Sequence, residues 1–252
     1  MTNELNSKDI IMPEELLLPS IDPDTNLNRL NSSDKYIELL KEYEKLHDTG
    51  PKMFNGRSLV KFVPIIKGYI QKHKCKTLLD YGCGKGTLYT NDFKDVSKEM
   101  TQSLPDYWGL ESFQLYDPAY SKHSTQPAQR KDIVICTDVL EHIPEEDLGW
   151  VVDEIYSYAK KVVFLNVACF KALKHFKDGT NVHVSLFDPE QWLDFLAWKS
   201  EQFRHLSIYV YADTVHPDYF DKERKKVETN GYKIQSRPKI ISLPKPEQIE
   251  SM

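Results

Sequence analysis

The sequence has little of what marks a membrane, secreted or nucleic-acid-binding chain. No apolar run approaches the ~18 residues needed to span a bilayer. The first residues include Glu4, Asp9, Glu14 and Glu15 where a signal peptide would carry basic residues and an apolar core. No leader and no membrane contact are therefore expected. The four cysteines, Cys75, Cys83, Cys136 and Cys169, lie far apart with no CxxC pair. This indicates neither a zinc site nor a disulfide framework, and a reducing cytoplasm is the expected location. Cations are not in excess: the net charge is -5, which argues against a nucleic acid partner, since duplex binding needs a cationic surface. The densest basic run, KERKK at 222–226, reads as a solvated helix face. No internal repeat is seen.

What remains is an ordinary globular composition, 40% hydrophobic and 28% charged, over 252 residues, enough for one sizeable domain with appendages. Residues 1–30, with Pro13, Pro19 and Pro23 among polar residues, read as an irregular extension. Residues 31–76 read as a helical lid. Ser32-Ser33-Asp34 offers an N-cap, Tyr36, Leu39, Leu40, Tyr43 and Leu46 recur at helical spacing, and a second helix covers 58–74 with Pro64 as a kink. The main domain is expected over 77–243, and 244–252 as an irregular tail. Within it, strands are predicted at 77–80, 112–117, 132–137, 161–167 and 205–212, with weaker ones at 232–236 and 240–243. The stretch 88–103 is weakly helical, and Leu104-Pro105-Asp106 is read as breaking it. Helices follow over 145–160 and 188–198. Strands alternating with helices predict an α/β fold, a doubly wound, mostly parallel sheet with helices on both faces.

The chain is organised around Asp80-Tyr81-Gly82-Cys83-Gly84-Lys85-Gly86. Here a buried strand ends in an acid and runs into a turn with glycines at alternate positions. Glycine lets a ligand approach bare backbone. Dinucleotide folds space these glycines GxGxxG, usually without an acid closing the strand. A carboxylate there would repel a pyrophosphate and suit an ammonium group. Asp117, Thr137-Asp138 and Asn166 also fall at strand carboxyl ends, where ligands of such sheets bind.

The segment 80–86 resembles motif I of the class I (Rossmann-like) S-adenosylmethionine-dependent methyltransferases. Asp132-Ile-Val-Ile-Cys-Thr-Asp-Val-Leu-Glu-His-Ile-Pro144 resembles that family's fourth strand and the turn after it. The resemblance covers roughly residues 55–236. It implies S-adenosylmethionine as cofactor, bound by Asp80, Tyr81, Gly82, Cys83, Gly84, Asp117, Pro118, Asp138 and Val139. Asp80 would organise contacts near the ammonium group, Asp117 would accept from the ribose hydroxyls, and Asp138-Val139 would run beside the methionine moiety.

Only 14 residues separate Asp117 from Asp132, too few for the family's usual helix, third strand and adenine-contacting acid. The third-strand region is therefore expected to be abbreviated, with adenine held by Tyr120, Ser121 or the loop to Gln129. Phe54 and Arg57 are candidate lid residues.

Methyl transfer to an alcohol benefits from a base, and a histidine is poised for that role. His142, in the turn after the fourth strand, and His183, in the polar loop after the fifth, are the catalytic candidates. Asn181, Asn166 and Arg57 are candidates to bind substrate. A metal held by Asp138, Glu141 and His142 is conceivable, but neither spacing nor cysteines support it, and no metal is expected. The expected activity is O-methylation of a small polar acceptor such as a sugar or sugar nucleotide. The alternatives are small-molecule N-methylation and a non-catalytic S-adenosylmethionine-binding protein. A homo-oligomer is left open.

Overall fold

Strands that are apolar on both faces need cover on both sides, and the fold supplies it. A computed structural model describes residues 9–11, 27–50, 53–90, 103–215, 227–236, 239–243 and 245, with backbone alone for 9–11 and 236. Its elements are β1 (Asp9–Ile11), α1 (Asp34–His47), α2 (Val63–Lys72), β2 (Thr77–Tyr81), α3 (Thr87–Thr90), α4 (Leu104–Trp108), β3 (Ser112–Tyr116), β4 (Lys131–Thr137), α5 (Glu145–Tyr158), β5 (Ala159–Ala168), α6 (Pro189–Ser200), β6 (Ser207–Val215), β7 (Val227–Ser236) and β8 (Lys239–Leu243). Among the described residues all eight strands form one sheet, in the order β1-β8-β7-β6-β5-β4-β2-β3. The run from β3 to β6 is parallel, and β7, β8 and β1 add antiparallel partners.

The period-2 alternation of strands sorts their side chains into two cores. Leu79 and Tyr81 of β2, Val163 and Leu165 of β5, and Ile208 and Val210 of β6 face α5 and α6. Leu78, Ile133, Ile135, Val162, Phe164 and Tyr209 face the other side, against Phe62, Ile66 and Ile70 of the α2 segment and Trp108 of α4. After β2 the chain goes first to β3 on one side and then to β4 on the other. The crevice of such a sheet opens at that reversal, at the carboxyl ends of β2 and β4.

α1 is held against the second layer by its cap. Ser33 Oγ accepts the Tyr36 N–H at 3.0 Å and donates to Asp147 of α5, while Tyr36 packs edge-on against Trp150 at 5.1 Å. This places the C-terminal half of α1 over the crevice.

Several sequence expectations change in detail. The second helix opens as a 3-10 turn over Arg57–Phe62 and becomes α-helical at Val63. Pro64 sits in the first turn, where a missing N–H costs nothing, instead of kinking the helix. This segment packs into the core, although it was read as part of the lid. Leu104-Pro105-Asp106, read as breaking a weak helix, starts α4: Ser103 caps it and Gly109, at φ +69°, ends it. Asp9–Ile11, within the stretch expected to be irregular, pairs with β8. The region 117–130 contains turns and no strand, so the third strand is absent there. Residues 91–102 and the basic run 222–226 lie outside the described residues. No helix among those described is long and apolar enough to cross a membrane.

Candidate active site

The glycine loop leaves β2 at Tyr81 and turns back along β3. Gly82 and Cys83 donate their N–H groups to the Tyr116 carbonyl, and the Gly84 N–H donates to Asp117 Oδ2 at 2.9 Å. Gly82 and Gly84 have φ of +79° and +56°, a region open to glycine. Their missing side chains also make room for protein. A Cβ on Gly82 would meet Val139 Cγ2 at 2.4 Å, and one on Gly84 would meet the Phe54 carbonyl oxygen at 2.2 Å. The loop around Phe54 thus lies directly on the glycine loop. Lys85 N–H donates to Phe54 O at 2.7 Å, and Thr87 Oγ1 donates to Asn55 O at 2.6 Å.

Two buried carboxylates stand under this loop. Asp80 accepts the Tyr89 hydroxyl at 2.8 Å; burial and the nearby Asp117 push its pKa up to about 7. Asp117 accepts N–H groups from Gly84 and Ala119, both at 2.9 Å. Burial raises its pKa, opposed first by His47, whose Nε2 lies 4.0 Å away. His47 also stacks on Tyr120, with centroids 4.8 Å apart. Sequence reasoning missed His47. It ends α1, and its only signal was its place on a helix expected to overlie the crevice.

A solvent-open cleft of about 700 Å³ runs between α1 and the strand ends. Tyr36, Tyr43 and His47 roof it, and Tyr81, Gly82, Gly84, Asp117, Pro118, Asp138 and Val139 form its floor, with His142 on the wall. Asp80 and Cys83 open instead onto a smaller recess beneath the Phe54–Ser58 loop, shared with Gly82 and Asp138. A third cavity, lined by Arg57, Ser58, Lys61, Asn166 and Asp213, also reaches Asp138. All three spaces meet at Asp138, an exposed residue held at φ +61° after β4.

The polar cavity has a built wall. Asp213 Oδ2 accepts from Lys61 Nζ at 2.6 Å and from Asn166 Nδ2 at 3.1 Å, and its Oδ1 accepts from Thr229 at 2.5 Å. Arg57 is exposed at the rim.

The structure brings the two candidate histidines together, with ring centroids 4.8 Å apart. His142 Nδ1 lies 2.9 Å from the Val182 carbonyl and His183 Nδ1 lies 2.6 Å from the Phe170 carbonyl. A carbonyl can only accept, so His183 Nδ1 carries the proton. His142 Nδ1 also lies 2.8 Å from the Tyr43 hydroxyl; with that hydroxyl donating to Val182 O at 2.8 Å, Nδ1 carries the proton there too, which leaves each lone pair on Nε2. Burial lowers the pKa of His142, with His183 adding to the shift and Asp138 opposing it. Asn181 is committed to its own loop: Oδ1 accepts from Ala172 and His183 N–H, and Nδ2 donates to Ala172 O. It positions His183 and does not face the polar cavity's wall. Glu141 turns inward, its Oε1 accepting the Ala168 N–H at 2.7 Å.

An open, mostly parallel sheet with a glycine loop, paired strand-end acids and a roofed cleft at the switch point defines a Rossmann-like, cofactor-dependent enzyme. A protein-family model described as a methyltransferase domain matches residues 57–216, well over half of the chain, and the chain belongs to that family. It is an S-adenosylmethionine-dependent methyltransferase of the class I fold. A comparison with curated proteins gave no match.

Proposed function

We propose that the enzyme methylates a hydroxyl of a small polar acceptor, a sugar or sugar nucleotide, bound in the cavity lined by Arg57, Lys61, Asn166 and Asp213. The observation that carries this reading is the junction at Asp138, where the polar cavity meets both the roofed cleft and the recess beside Asp80. Interleaved donors and acceptors suit a polyol, whose hydroxyls both give and take hydrogen bonds.

The chain's residues fit S-adenosylmethionine. Asp80 is a buried carboxylate with one side-chain donor, Tyr89, and a cation beside it would offset its burial. Asp117, on the cleft floor, presents a carboxylate to ribose hydroxyls, and Tyr120 and His47 offer flat faces near it. Tyr81, Gly82, Cys83, Gly84, Pro118, Asp138 and Val139 are the further contacts we assign to it. The cofactor supplies the sulfonium methyl and its leaving group. Protein side chains then need to orient the acceptor and remove its proton. We assign this to His183 and His142: each holds its Nδ1 on a backbone carbonyl, and burial keeps His142, on the cleft wall, in the neutral form that accepts a proton. The four free cysteines support a reducing, cytoplasmic setting.

The test is an acceptor screen reading S-adenosylhomocysteine release, followed by a crystal structure with S-adenosylhomocysteine and the best acceptor. Acceptor density beside Asn166 and Asp213 supports the proposal. Turnover restricted to amines would replace it with N-methylation. Cofactor binding without any turnover would favour a non-catalytic binding protein.

A further inference from the structure

Asp138, His142 and His183 come from two separate segments, yet one ligand atom from each lies within 4.8 Å of the others. We propose that they form a binding site for a divalent first-row transition ion, of the Zn²⁺, Mn²⁺ or Fe²⁺ class. The ligand set differs from the Asp138, Glu141, His142 combination that spacing and cysteines do not support. Glu141 turns inward with its Oε1 on the Ala168 N–H, and the loop after β5 delivers His183 in its place.

Three further features match such a site. Each imidazole gives its Nδ1 proton to a backbone carbonyl, Val182 or Phe170. That arrangement fixes the tautomer and ring orientation of a metal-binding histidine, leaving Nε2 as the ligand atom. Asp138 is strained at φ +61° and exposed, so its carboxylate can swing inward, as ligand bonds of ~2.0–2.2 Å require. Behind the cluster, Glu141 Oε2 is buried without a hydrogen-bond partner among the described residues, a cost that a nearby positive charge would offset. Two imidazoles favour transition ions over Mg²⁺ and Ca²⁺, which prefer oxygen ligands throughout.

Three protein ligands leave positions open; Asp138 lines both the polar cavity and the cleft, and His142 lines the cleft. An acceptor hydroxyl taking an open position would lose its proton to bulk water at a much lower pKa. This role rests on the acceptor reading above, whereas ion binding itself does not. On that account the histidines act as ligands and not as the base.

The experiment uses the untagged full chain, stripped with chelator and titrated with Co²⁺. Expected is one Co²⁺ per chain, with visible d–d absorbance that Zn²⁺ competes away. Asp138→Asn should weaken binding at least ten-fold, and His142→Ala or His183→Ala should abolish it. His205→Ala, exposed after α6 and outside the cluster, should leave it unchanged. Absence of stoichiometric Co²⁺ binding overturns the inference, as does binding indifferent to the His142 and His183 changes. Calorimetry with S-adenosylmethionine on the same samples separates the two readings. Cofactor binding without Co²⁺ binding sinks the metal site alone and returns the histidines to the role of base. Loss of cofactor binding in the unmodified chain would instead sink the cofactor-site assignment.

Discussion

Lys85, in the glycine loop, reaches the C-terminal end of α1, where its Nζ donates to the His47 carbonyl at 2.8 Å and to that of Gly50 at 2.5 Å. The last carbonyls of a helix lack internal partners and carry the negative end of its dipole, so a lysine there is well placed. This contact ties the roof of the cleft to its floor. Lys85→Met removes two charge-assisted hydrogen bonds, each worth about 1.5–3 kcal/mol at most and less for a half-exposed side chain. Expected is about ten-fold weaker S-adenosylmethionine binding by calorimetry and faster amide exchange across 45–57. Unchanged exchange there would show that the roof is held by other contacts.

On the proposed assignment, Asp80 makes cofactor affinity depend on pH. Its pKa is raised to about 7, so the cofactor-free fold binds a proton that the unfolded chain releases near pH 4. The stabilising contribution is full below the unfolded pKa and is lost as pH rises through about 7. Binding of an ammonium group favours the ionised form. Affinity should therefore strengthen between pH 6 and pH 8, with proton release on binding at the lower end. Asp80→Asn should weaken binding at least ten-fold and flatten both this slope and the fall in Tm from pH 5 to pH 8. Parallel slopes for the two proteins would remove Asp80 from the cofactor site.

Much of this was legible in the residues, for physical reasons. The continuous apolar runs of β4 and β5 could only be strands covered on both faces, and alternation with helices fixed a parallel sheet. The 14-residue gap after Asp117 ruled out a full third strand by length alone. What could not be read depended on distant meetings. Nothing local in His47, Lys85 or His183 reports that α1 would roof the cleft or that a loop would bring one histidine beside another. That Leu104-Pro105-Asp106 would start a helix was not legible, because a proline that breaks a helix also suits the first turn of one. Asn181 looked like a ligand because a polar side chain in a loop gives no sign of which backbone groups it will satisfy.

The two kinds of glycine should separate cleanly. Gly84→Ala puts a Cβ against the Phe54 backbone oxygen at a positive φ, and backbone cannot move aside as a flexible side chain could. A loss of about 1–3 kcal/mol in stability and of cofactor binding is expected. Gly68→Ala, within α2 and with none of the described residues within 4 Å of the new Cβ, should gain about 0.5–1 kcal/mol. Thermal melts of both variants decide the point. A Gly84→Ala protein as stable as its parent would mean that the Phe54 loop sits elsewhere in solution.

The polar cavity is tested most directly at Asp213, whose carboxylate joins Lys61, Asn166 and Thr229. Asp213→Asn keeps the shape and removes the charge that orients the Lys61 ammonium and the Asn166 amide. One or two acceptor hydrogen bonds of about 1–1.5 kcal/mol each would be weakened, so the acceptor KM should rise roughly ten-fold. Asp213 does not line the roofed cleft, and the Kd for S-adenosylmethionine should stay within about two-fold. Steady-state kinetics with the acceptor found by screening, alongside calorimetry with the cofactor, separates the two effects. A raised cofactor Kd with an unchanged acceptor KM would show that this cavity serves the cofactor, and the acceptor would then have to enter along the His142 wall of the cleft.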